Sequence, residues 1–240
     1  GMVVLLRKKH LLTGLVCAVL CAALAVPAGR RAHPAAGTVT PPGRVVIVDA
    51  GHGGADGGAV SQDGVAESGV NLAIALRLGQ VLTFCGHSVV LTRDGEDSLC
   101  DDPAASLRQQ KVSDTQNRVA LVNSCPDGRL ISIHQNTLPG HPGVHGAQSF
   151  YNGQGDAEDM ARCIQQTLNC AANDREKDAK RMDASIYLMK HASCPAVLVE
   201  CGFLSNPEET ARLRQPEYQL HLAAAIAAGF GQYCTNEGWK

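Results

Sequence analysis

Four residues of the types that catalyse hydrolysis are scattered through the 240-residue sequence, each beside a short apolar run or at the start of a helical pattern. They are His52 in Asp-Ala-Gly-His-Gly-Gly, Glu67, His134 in Ser-Ile-His-Gln-Asn, and Glu200 in Leu-Val-Glu-Cys-Gly-Phe. Two imidazoles and a carboxylate are a standard ligand set for a catalytic zinc ion, which leaves its fourth position to water. We therefore predict that His52, Glu67 and His134 bind Zn²⁺.

Each ligand candidate taken alone has an ordinary structural explanation. A glutamate such as Glu67 is common in the first turn of a helix because it complements the helix dipole. A histidine in a glycine-rich loop or at a strand end often serves only as a hydrogen-bonding group. The combination of all three favours the metal site.

Glu200 ends the apolar run Ala196 to Val199, so its carboxylate is expected to be partly desolvated and to need a partner or a role. We predict that Glu200 is the general base, which takes a proton from water and passes it to a departing amine. Zinc would lower the pKa of the water and polarise the scissile carbonyl. The predicted reaction is amide hydrolysis, and a salt bridge is the structural alternative for Glu200.

The pattern of the remaining chain predicts the elements that carry these residues. Apolar β-branched runs predict strands, and apolar positions at helical spacing predict helices. The predicted strands are Val45–Val48, Ser88–Thr92, Leu130–His134, Gly146–Tyr151 and Ala196–Glu200; the predicted helices run from Glu67 to about Cys85 and over Gln109–Val122, Asp156–Leu168 and Glu217–Tyr233. This alternation indicates an α/β fold, a central mostly parallel twisted sheet of about six strands flanked by helices on both faces. The four candidates would converge at one edge of that sheet.

The N-terminal region differs in composition from the rest. Residues 1–27 contain three basic residues followed by an uncharged apolar run and Ala23-Leu24-Ala25, which predicts a cleaved signal peptide or a retained membrane anchor. Residues 28–43 are rich in proline and predict a flexible linker, and residues 44–236 form the predicted catalytic domain. The domain is therefore expected to work outside the cytoplasm, and a net charge of −2 argues against nucleic-acid binding.

The chain contains ten cysteines, which would be expected to pair in an oxidising compartment. Cys163 and Cys170 are predicted to share one helix, where seven residues give a rise of about 10.5 Å, beyond the reach of a disulfide. Cys194 and Cys201 flank a strand and would also lie far apart. We expect mostly reduced cysteines that act as small core residues, and the spacing gives no cysteine-based zinc site.

An ordered series of motifs resembles the zinc-dependent N-acetylmuramoyl-L-alanine amidases of the amidase-3 family. The series consists of Asp49-Ala-Gly-His-Gly-Gly54, Gly57-Gly-Ala59, Glu67 with Asn71-Leu72, Leu91-Thr-Arg93, Arg118, Ser132-Ile-His134 with Asn136, and Leu198 to Pro207 followed by Glu209. The resemblance implies that His52, Glu67 and His134 hold zinc and that Glu200 is the catalytic carboxylate. It also implies that the substrate is peptidoglycan, cut between the lactyl group of muramic acid and L-alanine, and Asn136 is a candidate for substrate binding.

Other stretches resemble the sporulation members of this family. These are Leu107 to Asp114, Asn117 to Val119, Gly146 to Asn152, and Arg175-Glu-Lys177 before Ile186-Tyr-Leu188. This likeness implies a role in spore cortex maturation, in the formation of muramic-δ-lactam. One departure is the Glu67-Ser68-Gly69 segment, where family members usually carry Glu-Lys-Asp, and it removes two charges beside the proposed ligand.

The sequence is compatible with three functions: a peptidoglycan amidase, another zinc peptidase or amidohydrolase on the same scaffold, and a catalytically weak wall-binding module. Weak zinc binding caused by the departure would leave room for an activator protein as a partner. The N-terminal segment, if it is not cleaved, would make the membrane a further partner.

Overall fold

The computed structural model describes residues 44–182 and 186–239. The predicted signal or anchor (1–27) and the predicted linker (28–43) lie outside the described residues. Within the described ranges, no helix combines the length and apolarity that crossing a membrane requires.

The described part of the chain contains twelve helices and strands. In order they are β1 (Val46–Ala50), α1 (Glu67–Phe84), β2 (Val89–Leu91), α2 (Leu107–Asn123), β3 (Arg129–Asn136), β4 (Gln148–Tyr151), α3 (Ala157–Ala172), β5 (Lys180–Arg181), α4 (Tyr187–His191), β6 (Ala196–Phe203), α5 (Pro207–Leu213) and α6 (Pro216–Glu237). The strands form one sheet in the order β2-β1-β3-β6-β4-β5. All neighbouring pairs are parallel except β4 and β6.

Side chains of the central strands alternate between two apolar cores, one on each face of the sheet. Ile131 and Ile133 of β3 point into the larger core, which α1, α3 and α6 cover. Leu130 and Leu198 point into the smaller core, to which α2 and α4 contribute. Burial on both faces explains why β1 is a continuous apolar run up to Asp49.

The alternation of side chains along β3 and β6 also determines where His134 and Glu200 lie. His134 is four residues after Leu130, and Glu200 is two residues after Leu198, so both lie on the face of the smaller core at the carboxyl end of their strands. The two residues are also directly paired in the register of β3 and β6. The fold therefore brings a histidine and a glutamate from distant parts of the sequence side by side.

The predicted fold class is confirmed: the sheet has six strands, it is mostly parallel, and helices cover both faces. Three short elements were not predicted, namely β5, α4 and α5. The α2 helix begins at Leu107, two residues before the predicted start, because Ser106 and Gln109 form a reciprocal capping box. The start of α5 carries a signal that the sequence analysis missed, since Asn206 caps the helix and Pro207 occupies its first turn.

The eight cysteines in the described ranges form no disulfide. Cys163 and Cys170 both lie in α3, and Cys194 and Cys201 lie near opposite ends of β6, as predicted. Burial raises the pKa of the Cys194 thiol to about 11, which keeps it protonated and unreactive at neutral pH.

Candidate active site

The three predicted metal ligands come together at the carboxyl edge of the sheet. His52 lies in the loop after β1, Glu67 is the first residue of α1, and His134 lies near the end of β3. One potential ligand atom from each lies within 4.8 Å of the other two. The Nε2 of His52 is 3.3 Å from Oε2 of Glu67, and the Nδ1 of His134 is 3.0 Å from Oε1 of the same carboxylate. Two nitrogen donors and one oxygen donor at this spacing fit a zinc ion.

Glu67 is buried, with 4% of its surface exposed, and both of its carboxylate oxygens accept hydrogen bonds. Oε1 accepts from the side chain of Asn71 and the backbone N–H of Gln135, and Oε2 accepts from the N–H of Ala59. Burial by itself raises the pKa of the Glu67 carboxyl, but the hydrogen bonds with His134 and His52 outweigh it and hold the pKa well below its usual value. Glu67 is therefore held as an anion, the form that binds a metal.

His52 adopts a left-handed backbone conformation, with φ of 61°, and no other non-glycine residue in the described ranges has a positive φ. Such strain persists only where the surroundings enforce it. Arg118 donates from Nη2 to the carbonyl of His52 at 2.6 Å, and Arg93 donates to the carbonyl of Gly51 at 3.1 Å. Two buried guanidinium groups thus fix the loop that presents His52.

Asp56 is a residue of this site that the sequence analysis missed. Its Oδ2 lies 2.8 Å from Nδ1 of His52, on the opposite side of the ring from Glu67. Its Oδ1 is 2.9 Å from the amine of Lys111 and accepts from the N–H of Gly58. A carboxylate behind a metal-binding histidine fixes the ring orientation and tautomer. No local pattern marks it, because the contact depends on the backbone conformation at His52.

Asp56 and Glu67 together raise the pKa of His52. Burial on its own lowers that pKa, but the hydrogen bonds with the two carboxylates outweigh it and bring the pKa to about 9. The same pairing holds the pKa of the Asp56 carboxyl well below its usual value, although burial opposes it. The excess of carboxylates around His52 therefore favours positive charge at this position. A bound metal ion would supply that charge.

Two glycines leave room for the ligand side chains. A β-carbon on Gly51 would stand 2.2 Å from Cε1 of His134, and a β-carbon on Gly58 would stand 2.6 Å from Oε2 of Glu67. Gly58 also has a positive φ of 68°. The glycine-rich character of the loop after β1 is thus a requirement of the side chains packed against it.

Arg118 forms ion pairs with two carboxylates beneath the site. With 3% of its surface exposed, it contacts Asp49 at 2.6 Å and Asp114 at 2.8 Å. Burial lowers the pKa of the guanidinium, but the two carboxylates outweigh this effect and raise it above its usual value. Asp49 also accepts from the hydroxyls of Ser132 and Thr92, so this ion pair ties β1 to β2, β3 and α2 beneath the site.

Glu200 lies in the same cleft in a different environment. Its Oε2 atom is buried and has no hydrogen-bond partner, and no salt bridge involves Glu200 within the described ranges. Burial raises the pKa of the Glu200 carboxyl to about 7, an effect that the nearby His134 reduces and that the charge of Glu67 increases. A carboxylate with such a pKa can both accept and release a proton near neutral pH.

The cleft has a volume of about 430 Å³ and contains the four candidate residues. Asn136, the predicted substrate contact, lines its rim, and its Oδ1 accepts from the N–H of Thr137. Ile186 and Tyr187 at the start of α4 form an apolar wall, with 38% and 43% of their surfaces exposed. Neither residue was predicted to line the site, because α4 was not predicted.

The departure at Ser68 and Gly69 lies in the first turn of α1, directly after Glu67. The carbonyl of Ser68 accepts from Nη2 of Arg93 at 2.8 Å, a contact that any residue at this position supplies through its backbone. Gly69 is exposed, and a β-carbon there would meet open space. The missing charges would therefore act on Glu67 only over a distance and through solvent.

Comparison with known proteins assigns this arrangement to a family. Residues 46–232 match the family model described as amidase-3, N-acetylmuramoyl-L-alanine amidase. The chain belongs to the amidase-3 family. The enzyme is thus an N-acetylmuramoyl-L-alanine amidase that acts on peptidoglycan, and its family membership rests on a match that covers nearly the whole described domain.

Individual relatives support this assignment over most of their own length. The germination-specific N-acetylmuramoyl-L-alanine amidase of Bacillus subtilis is 37% identical over 197 residues, which cover 82% of each chain. The CwlD amidase of Clostridioides difficile, solved in complex with the GerS lipoprotein, shares the fold with a TM-score of 0.76 and 35% identity, covering 80% of this chain and 98% of that one. The amidase AmiC2 of Nostoc punctiforme has a TM-score of 0.67 and 30% identity, with 80% and 97% covered.

Proposed function

We propose that this amidase is zinc-dependent and cleaves the amide between the lactyl group of N-acetylmuramic acid and L-alanine. The observation that carries the proposal is the pairing, in one cleft, of a convergent His-Glu-His ligand set with a buried, unpartnered carboxylate oxygen on Glu200. In this assignment His52, Glu67 and His134 hold the metal, and Glu200 is the catalytic acid and base.

Zinc, when bound, lowers the pKa of the attacking water and stabilises the charge that develops on the carbonyl oxygen. Glu200 accepts the proton that the water loses as the new C–O bond forms. It then donates that proton to the amide nitrogen as the C–N bond breaks. The products are the free carboxylate of the lactyl group and a stem peptide with a free amino group on L-alanine.

Asn136 is proposed to bind the substrate at the rim of the cleft, because its side-chain amide can still donate to a sugar or peptide oxygen. Asp56 orients the ring of His52, and Arg118 and Arg93 hold the backbone on either side of it. These residues position the ligands and do not contact the reacting atoms.

The biological setting is proposed from the relatives. Similarity to a germination-specific amidase and to CwlD supports a role in spore cortex maturation, where the product would feed muramic-δ-lactam formation. The complex of CwlD with a lipoprotein supports a protein partner that activates this enzyme. We also propose that the enzyme works outside the cytoplasm, to which a signal peptide or membrane anchor in residues 1–27 directs it. In this proposal residues 28–43 form a linker, and residues 44–236 form the catalytic domain.

The experiment is mass spectrometry of peptidoglycan fragments after incubation with the zinc-loaded protein, beside Glu200→Ala and the exposed control Glu208→Gln. We expect release of stem peptides that begin at L-alanine from the wild type and the control. Loss of a general acid and base costs typically about 100- to 10,000-fold in rate, so Glu200→Ala should release almost none while keeping its zinc.

Other results would change specific parts of the proposal. Equal release by Glu200→Ala would contradict the role of Glu200. A new amino group at another position would indicate a peptidase of different specificity on the same scaffold. No release by the zinc-loaded wild type, followed by release after addition of a partner protein, would establish the need for an activator.

A further inference from the structure

The strand that carries Glu200 is irregular directly after that residue. In the pairing of β3 with β6, His134 aligns with Glu200 but Asn136 aligns with Phe203, so the segment of Cys201 and Gly202 has one residue more than the facing strand. A bulge of this kind bends a strand and re-aims its side chains, and it needs outside support because part of the ladder is lost.

Glu209 supplies that support from the neighbouring helix α5. It has 5% of its surface exposed, and its Oε2 accepts from the N–H of Phe203 at 2.7 Å, at the end of the bulge. Its side chain also packs on Gly202, where an added β-carbon would stand 3.3 Å from the Glu209 carboxyl carbon. The Glu209 carboxylate therefore fills the space beside the bulge and accepts a hydrogen bond from a backbone N–H there.

The other oxygen of Glu209 reaches the strand on the far side of Glu200. Oε1 accepts from the N–H of Gly146 at 3.0 Å, two residues before β4 begins. The first residue of β4, Gln148, is paired with Glu200 in the antiparallel register. One buried carboxylate thus joins the backbone that follows Glu200 to the backbone that lies opposite it.

Lys177 also binds the backbone at Gly146, through carbonyl groups. Its Nζ donates to the carbonyls of His145 and Gly146, at 2.7 and 2.8 Å, and lies 5.5 Å from the centre of the Phe203 ring. Gly146 is accordingly bound through both its N–H and its carbonyl. The hydrogen bonds that the Lys177 ammonium group donates go to two backbone oxygens, so this group fixes the chain at Gly146.

We propose that Glu209 and Lys177 form a clamp that positions Glu200 by fixing the bulge of β6 and the start of β4. Both are positioning residues, since neither lines the cleft. The inference rests on the proposed function, because it assigns to Glu200 the proton transfers of the reaction. It predicts that loosening the clamp lowers kcat and leaves the metal ligands in place, since these lie on β3, α1 and the loop after β1.

The test compares Glu209→Gln with Glu208→Gln, an exposed neighbour on the same helix, in the zinc-loaded full chain. The Glu209→Gln substitution keeps the size of the side chain, but the new amide can accept only one of the two N–H bonds. We expect kcat for stem-peptide release to fall by about 100-fold, the cost of a misplacement near 1 Å, with KM and zinc content unchanged. Hydrogen exchange at Phe203 and Gly146 should become faster in this variant only.

A second pair keeps the proposal testable if Glu209→Gln fails to fold. Lys177→Met retains the aliphatic stem but loses both donated bonds, whereas Lys177→Arg can still donate to both carbonyls. We expect Lys177→Met to lose kcat and Lys177→Arg to recover it to within about threefold of the wild type. This rescue separates positioning from a loss of packing.

Several results would overturn the clamp. One is a kcat for folded Glu209→Gln within about threefold of the wild type. Another is a loss of kcat in that variant that loss of zinc fully explains. A third is a wild-type kcat in Lys177→Met. If the wild type releases no stem peptide even when the partner protein is added, the proposed function fails first, and the clamp proposal fails with it. The wild-type sample therefore distinguishes the two failures.

Discussion

Glu67 and Glu200 are two glutamates in one cleft with opposite surroundings. Both oxygens of Glu67 accept hydrogen bonds and lie beside imidazole rings, and the pKa of Glu67 is held well below its usual value. One oxygen of Glu200 is buried with no partner, and burial raises its pKa to about 7. The difference matches the two tasks of the proposed function: a carboxylate saturated with donors stays charged and suits a cation, whereas an unsaturated one with a raised pKa suits proton exchange.

The largest expected effect in this comparison is the loss of metal from Glu67→Gln. The glutamine side chain is neutral, and its NH₂ group would replace an oxygen that accepts hydrogen bonds in the wild type, so donor would face donor. Loss of a residue that only orients a ligand lowers metal affinity by about 10- to 100-fold. We expect a larger loss of zinc affinity here, measured by competition with a chelator. Thermal unfolding in the presence of chelator controls for a change in the fold itself. Wild-type affinity in this variant would mean that Glu67 is not a ligand.

Glu200→Gln is expected to change the pH dependence of stability in the metal-free protein. The folded-state pKa of Glu200 is raised from 4.5 to about 7 by burial, so folding favours its neutral form. That contribution is fully present below the unfolded-state pKa and is lost as the pH rises through the folded-state pKa. The wild type should therefore become less stable than Glu200→Gln between about pH 4.5 and pH 8, by on the order of 3 kcal/mol.

Denaturant unfolding at pH 4 and pH 8, with chelator present, measures this difference, and Glu208→Gln serves as the exposed control. The free energies of unfolding of wild type and Glu200→Gln should coincide at pH 4 and separate at pH 8. Parallel stabilities at both pH values would show that the Glu200 carboxylate is solvated in the free enzyme.

The smallest effect is expected at the position where this chain departs from its family. Gly69→Asp restores a charge in the first turn of α1, where it favours the helix dipole and removes a flexible glycine. We expect the free energy of unfolding to rise by about 0.5–1 kcal/mol, with zinc affinity unchanged because the side chain would point into open space. An increase in zinc affinity would instead show that the charge acts on Glu67 through solvent.

The sequence predicts much of this arrangement because the relevant patterns are local. The apolar runs of β1, β3 and β6 indicate buried strands, and His52, His134 and Glu200 follow those runs closely enough to be placed at one sheet edge. The helical period after Glu67 places that residue at the start of α1. Four candidates could therefore be brought together without knowledge of any long-range contact.

What the sequence does not predict depends on contacts between distant segments. The antiparallel direction of β4 is not encoded in its own residues, and the two-residue strand β5 exists only through its pairing with β4. Asp56 could not be assigned because its contact with His52 depends on the left-handed backbone at residue 52. Glu209 is recognisable as a motif residue, but its bonds to Phe203 and Gly146 depend on the bulge and on the start of β4.

The position of β4 has a consequence for how the entrance of the cleft can vary. Because β3 and β4 lie on opposite sides of β6, the loop from 137 to 147 starts beside His134 and returns beside Glu200. Its two ends are held by the sheet, and the entropy of closing a loop grows only slowly with its length. A change in the length of this loop would therefore alter the surface beside the cleft while His134 and Glu200 stay in register.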